Sequence, residues 1–169
     1  MTKQEVKMTE PEIIWQPNPG PQTDFLRSTA RETLFGGSAG SSKTDGLLGY
    51  ILMQVRSPNA RALFIRRTMP QLCDAIARSF QLFRPLGADF SKQERIWTFP
   101  NGATCEFGFL NSPDDKYNYL GRQFTLLCLD ELAQLGADSV DAEGNPNPVP
   151  ICICCRGCAV LKAVVFGMR

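Results

Sequence analysis

The stretch "LFGGSAGSSKTDG", residues 34–46, decides how the rest of the chain is read. It lies between a short strand candidate, Arg31 to Phe35, and a segment from Lys43 to Val55 whose apolar residues Leu47, Leu48, Ile51, Leu52 and Val55 share one helical face. Strand, glycine-rich turn and helix form the setting that the phosphate-binding (Walker A) pattern G-x-x-x-x-G-K-[ST] requires. Here the pattern runs from Gly37 to Thr44, with Ser42 where the second glycine is expected. Backbone amides from Gly40 through Ser41 and Ser42 to Thr44 would converge on a β-phosphate at the positive helix end. Lys43 would reach the β and γ oxygens, and the Thr44 hydroxyl would hold magnesium. Serine suits position 42 on the expectation that its backbone avoids positive φ. A flexible turn that merely caps a helix is the competing explanation, and the flanking elements weigh against it.

Outward from this stretch the chain alternates. "ARALFIRR", residues 60–67, is a compact apolar run suited to a buried parallel strand. Pro70 opens a helix with Leu72, Ile76, Phe80 and Phe83 on one side, and Gly87 ends it. "RIWTFPNGATCEFGFL", residues 95–110, places two β-rich segments around Asn101-Gly102, a hairpin signal that predicts an antiparallel addition to the sheet. After the loop "NSPDDKYNYLGRQ", an apolar strand from Phe124 to Leu129 closes on Asp130-Glu131, at the strand end where open α/β sheets bind ligands. The aspartate matches the magnesium side of a phosphoryl-transfer site, and the glutamate can polarise the attacking water. The first 24 residues, polar and proline-rich, read as an extended arm over the domain surface.

Composition narrows the chemistry. A chain of 169 residues is one ordinary domain. Eighteen basic residues against 17 acidic ones exert no global pull on a polyanion, so such a partner must be met by a local patch. Histidine is absent, which excludes Ser-His and Cys-His nucleophilic mechanisms. No apolar run approaches the ~18 residues of a membrane helix, and an intracellular, soluble protein is expected. Cys73, Cys105 and Cys128 read as reduced core thiols. Cys152, Cys154, Cys155 and Cys158 crowd too closely for a structural zinc site, which joins two ligand pairs across a loop.

From Trp15 to about Leu135 the chain resembles the ATPase domain of the large subunit of tailed-phage terminases, the motor that packages viral DNA into a procapsid. The segments that carry the likeness are "PNPGPQTDFL", "LFGGSAGSSKTDGLL", "FIRRTMPQL", "WTFPNGATCEFGFL" and "YNYLGRQFTLLCLDEL". The resemblance implies a P-loop NTPase fold of the additional-strand (ASCE, RecA-like) class, α/β with a mainly parallel sheet flanked by helices and an inserted antiparallel hairpin. It implies ATP and Mg2+ as cofactors, with Lys43 and Glu131 as catalytic residues and Thr44 and Asp130 as metal ligands. Gln22 falls where the family reads adenine, with Trp15 nearby. Arg66, Arg67 and Arg122 become candidates for an arginine finger acting in trans or for DNA contacts. Implied partners are double-stranded DNA, the terminase small subunit, the procapsid portal protein and copies of the chain in a ring, with no membrane, in the host bacterium's cytoplasm.

The same resemblance implies a division into an arm over residues 1–24 with an adenine-binding segment, an incomplete P-loop ATPase domain over 25–136, and a divergent Cys-rich tail over 137–169. Nothing after Gly136 resembles the family's coupling strand or its nuclease domain. A truncated or frame-shifted end is therefore expected, without nuclease activity. The alternative is a non-catalytic nucleotide-binding module or a defective terminase remnant. A P-loop DNA helicase is disfavoured because one domain supplies half of the usual cleft.

Overall fold

The computed structural model describes residues 13–37, 42–135 and 160–166. The chain runs α1 (Pro21–Arg27), β1 (Glu32–Gly37), α2 (Lys43–Gln54), β2 (Arg61–Arg66), α3 (Met69–Phe83), β3 (Asp89–Ser91), β4 (Ile96–Thr98), β5 (Thr104–Phe109), β6 (Leu126–Leu129), α4 (Leu132–Leu135) and β7 (Val160–Phe166). The seven strands form one sheet in the order β1-β7-β6-β2-β5-β4-β3. Neighbours from β1 to β5 are parallel, and β4 and β3 add antiparallel pairs at one edge.

A parallel strand must bury both faces, which is why β2 and β6 read as unbroken apolar runs. Alternate residues divide between two cores. Ala62, Phe64, Leu126 and Cys128 pack with Leu47, Leu48 and Ile51 of α2 and Leu72, Leu82 and Phe83 of α3. On the opposite face Leu63, Ile65, Leu127 and Leu129 pack with Leu110, Tyr119, Phe124 and Leu135. Gly108 lets the second layer close, because a Cβ there would lie 2.1 Å from the Tyr119 hydroxyl oxygen.

The hairpin side is held by aromatics. Trp97 is fully buried among Phe80, Phe83 and Phe90, with ring centroids 4.7, 5.6 and 4.9 Å away. Its indole N–H donates to Ser79 Oγ at 2.9 Å, and that hydroxyl donates to the Ile76 carbonyl at 2.7 Å. Gly102, at φ 91, makes the turn between β4 and β5.

The hairpin around Asn101-Gly102 forms as expected, with β4 antiparallel to β5, while β5 continues the parallel set beside β2 and β3 adds an antiparallel pair to β4. Other expectations need correction. The three residues of β3 lack a turn signal of their own. Within the expected N-terminal arm, Pro21 to Asp24 belong to α1, which buries Phe25 and Leu26; Pro21 pre-sets the helical φ at its first position. Phe25 stacks on Phe35 of β1 with centroids 5.1 Å apart. Of the three scattered cysteines, Cys105 and Cys128 are core residues, and burial pushes the Cys105 thiol up from its ordinary range, whereas Cys73 is exposed on α3.

The end of the described chain adds a further strand to the sheet. Residues 160–166 do not stand apart from the sheet: β7 lies between β1 and β6, parallel to both, with Ala163 level with Leu34 and Leu129. The place in the sheet between β1 and β6 is thus filled. Its sequence, "VLKAVVF", has neither an alternating pattern nor a preceding helix period, so periodicity alone could not place it. The crowded cysteines Cys152, Cys154, Cys155 and Cys158 lie outside the described residues. Among the described residues no helix is long and apolar enough to cross a membrane.

Replacing Ser79 with alanine removes the partner of a buried indole N–H. Urea unfolding of Ser79→Ala is expected to show a loss of about 1–3 kcal/mol with an unchanged denaturant slope.

Candidate nucleotide site

The strand ends explain how distant residues meet. Because Ile65 of β2 is level with Leu129 of β6, the next residues on the two strands, Arg66 and Asp130, emerge side by side on one face. That face is the one covered by α2, which begins at Lys43. The Thr44 hydroxyl donates to Asp130 Oδ2 at 2.8 Å across 86 residues of sequence. The lysine-threonine helix start and the acid-tipped strand therefore share one cleft at the carboxyl end of the sheet.

Asp130 is 1% exposed and Lys43 is 4% exposed. A buried carboxylate is tolerated only with compensating donors. Asp130 Oδ2 accepts from Thr44 and from Arg66 Nε at 2.8 Å and is ion-paired with Arg66 Nη2 at 2.6 Å, while Oδ1 accepts the Glu131 N–H at 3.1 Å. Arg66 is stretched over further acceptors, donating through Nη2 to Thr44 Oγ1 at 2.9 Å and through Nη1 to the Gln71 carbonyl at 2.7 Å. Its guanidinium is turned into this chain's own cleft rather than toward solvent.

Two residues of this site, Ser42 and Glu131, hold positive φ without being glycine, as Arg95 does away from it. Ser42 has φ 52 and ψ 32, a left-handed conformation, so the expectation that position 42 avoids positive φ is overturned. The surroundings hold it there: its carbonyl accepts the Gly46 N–H at 3.0 Å and the Gln22 side-chain Nε2–H at 2.8 Å. Gln22 is buried and its Oε1 accepts the Asn18 N–H at 2.5 Å, so both ends of its amide are engaged by backbone. Trp15 packs against α2, where a Cβ on Gly49 would lie 2.2 Å from the indole. Glu131, at φ 55, directly follows Asp130, and its Oε2 is buried with no hydrogen-bond partner among the described residues.

Gly37 ends β1 as expected, whereas Ser38, Ala39, Gly40 and Ser41 lie outside the described residues. Arg67 donates to the Gln134 carbonyl at 3.1 Å. Arg122 sits apart from this cleft, forked onto Glu106, to whose Oε1 it donates at 2.8 Å, and placed over the Phe124 ring. Gln71 and Gln134 escaped sequence reading. Gln71 Nε2 donates to Gln134 Oε1 at 2.9 Å, tying the start of α3 to the segment after Glu131. Their only sequence signal is a shared distance of a few residues beyond two strand ends. The Arg78–Asp45 fork, with both contacts at 2.8 Å, also went unread; it ties α3 to the first turn of α2.

Residues 34–141 match the family described as terminase large subunit, T4likevirus-type, N-terminal. The chain belongs to this family. Among solved structures, it is similar to the large terminase ATPase domain of Thermus phage P74-26, at 18% identity over 92% of this chain and 67% of that one, with a TM-score of 0.62. The large terminase of bacteriophage HK97 matches at 12% identity and TM-score 0.62 over 95% of this chain. A large terminase from a further thermophilic bacteriophage matches at 16% identity and TM-score 0.60 over 89%. This terminase chain spans 34% of the HK97 protein and 39% of the latter. No curated protein sequence matches it. The shared architecture is a mainly parallel α/β sheet flanked by helices, and the terminase match covers both Lys43-Thr44 and Asp130-Glu131.

Two substitutions probe this packing through stability. Ser42→Gly is expected to stabilise the protein by about 1 kcal/mol, since glycine accepts the left-handed conformation without strain. Asp130→Asn strands the Arg66 charge and is expected to cost about 3–5 kcal/mol; both are read from urea midpoints.

Proposed function

We propose that this chain binds ATP with magnesium and hydrolyses it, as the motor part of a terminase that drives double-stranded viral DNA into a procapsid. The observation that carries the reading is the Thr44 hydroxyl lying 2.8 Å from the Asp130 carboxylate at the carboxyl edge of a parallel sheet. A hydroxyl and a carboxylate converging at a helix start are hard oxygen donors suited to Mg2+. When bound, that ion would neutralise charge on the β and γ phosphates.

The chain's own residues divide the remaining work. Amides following Gly37, including those of Gly40, Ser41 and Ser42, would take the phosphate oxygens at the positive end of α2. Lys43, buried at the first position of that helix, supplies a fixed charge toward the β and γ oxygens. Among the described residues Glu131 Oε2 has no hydrogen-bond partner, the condition a group needs to orient an attacking water and take its proton. Gln22 braces the segment at Asn18 against Ser42, and would read an adenine edge by exchanging one of those two bonds.

Arg122, on the surface and already ordered by Glu106, is better placed than Arg66 to reach a neighbouring subunit or DNA. The small subunit, the portal and a ring of copies enter the reading through the family, as partners of the assembled motor. Arg67, which donates to the Gln134 backbone carbonyl, is a further candidate for such a contact.

Phosphate release and fluorescent-nucleotide titration test the assignment together. Lys43→Ala is expected to lose nucleotide binding. Glu131→Gln is expected to keep binding within a few-fold while turnover drops by about 10²–10⁴-fold. An undiminished rate in Glu131→Gln removes Glu131 from its role, and a wild-type protein that binds no ATP overturns the proposal.

A further inference from the structure

The cleft contains a cation of its own. Arg66 Nη2 is hydrogen-bonded to the Thr44 hydroxyl oxygen at 2.9 Å and ion-paired with Asp130 Oδ2 at 2.6 Å, the two side chains proposed above as magnesium ligands. Its Nε is 2.8 Å from the same carboxylate oxygen. One guanidinium thus satisfies both oxygen donors at once, in a site where Asp130 has almost no contact with water. Two cations bonded to a single hydroxyl oxygen repel strongly in so dry a place.

We infer that Arg66 is a resident counter-ion of the nucleotide site, which holds Thr44 and Asp130 together until nucleotide and its divalent ion load, and must then give up both. The inference rests on the nucleotide-site reading and adds a positioning residue to it. A bland role, a strut that only ties β2 to β6, fits less well. A strut gains nothing from reaching past the neighbouring strand to the hydroxyl at the start of α2.

The movement has a built-in recipient. Nη1 of the same guanidinium is bonded to the Gln71 carbonyl in the first turn of α3. Gln71 in turn holds Gln134, whose backbone carbonyl accepts from Arg67. Release of Arg66 from Asp130 therefore frees or redirects a group anchored to α3 and indirectly to the segment that follows Glu131. Loading of the cleft is coupled to α3 through one side chain.

Binding of a fluorescent ADP analogue, titrated with Mg2+, tests this in the intact chain. Removing the charge with Arg66→Gln is expected to lower the Mg2+ concentration for half-maximal tight binding by at least about five-fold. Mg2+ alone is expected to raise the melting temperature of the variant but not of the wild type. Arg66→Lys, which keeps the charge, is expected to retain the wild-type requirement.

An unchanged Mg2+ midpoint in Arg66→Gln overturns the inference in favour of a strut. A higher midpoint overturns it in favour of a residue that serves the loaded state. If Arg66→Gln does not fold, the wild type decides through its 15N-labelled arginine side chains. The Nε–H signal assigned by Arg66→Lys should persist with ADP and shift on adding Mg2+, and an equal response to both overturns the inference. Absence of any ADP binding by the wild type overturns the nucleotide-site reading itself, which separates that failure from failure of the Arg66 role.

Discussion

The buried carboxylate of Asp130 is the constraint on which the rest of the site depends. With 1% exposure it cannot be solvated, so its charge has to be met by donors that the fold brings to it. Those donors come from two other elements, Arg66 at the end of β2 and Thr44 in the first turn of α2. Their meeting requires β2 beside β6 in a fixed register and α2 laid across that face. A slip of one residue in the β2–β6 pairing would turn Arg66 to the opposite layer, beside Leu63 and Ile65, and leave two charges buried alone.

Strain gathers around the same place. Ser42 and Glu131, on either side of the cleft, both adopt left-handed backbone, a cost of about 1–2 kcal/mol each that tertiary contacts must hold. For Ser42 those contacts are visible: α1 supplies the Gln22 amide and α2 supplies the Gly46 N–H, both to the same carbonyl. Helix α1 serves the fold through this brace as much as through Phe25 on Phe35. The start of α2 is thereby tied to the N-terminal segment, and Glu131 to α3 through Gln134 and Gln71.

The fold was legible wherever a local pattern is physically obligatory. The apolar runs around Phe64 and Leu127, the face from Leu47 to Ile51, and Asn101-Gly102 all announce their elements, because burial and turn geometry leave few other options. Family membership was legible too, carried by the order of several short segments and matched over residues 34–141. Less could be read where an element depends on its neighbours. Strand β7 is a strand because β1 and β6 leave a gap between them, and α1 is a helix because Phe25 and Leu26 have a core to enter.

The sequence by itself determined the alternating α/β architecture and the family, since each is written in residues close together along the chain. Only the tertiary structure decided that Arg66 turns inward to Thr44 and Asp130, that Gln22 grips Ser42, and that residues 160–166 complete the sheet. The reason is strand register. Which side chains share a face of a parallel sheet is set by hydrogen bonding between strands distant in sequence, and no local spacing encodes that pairing.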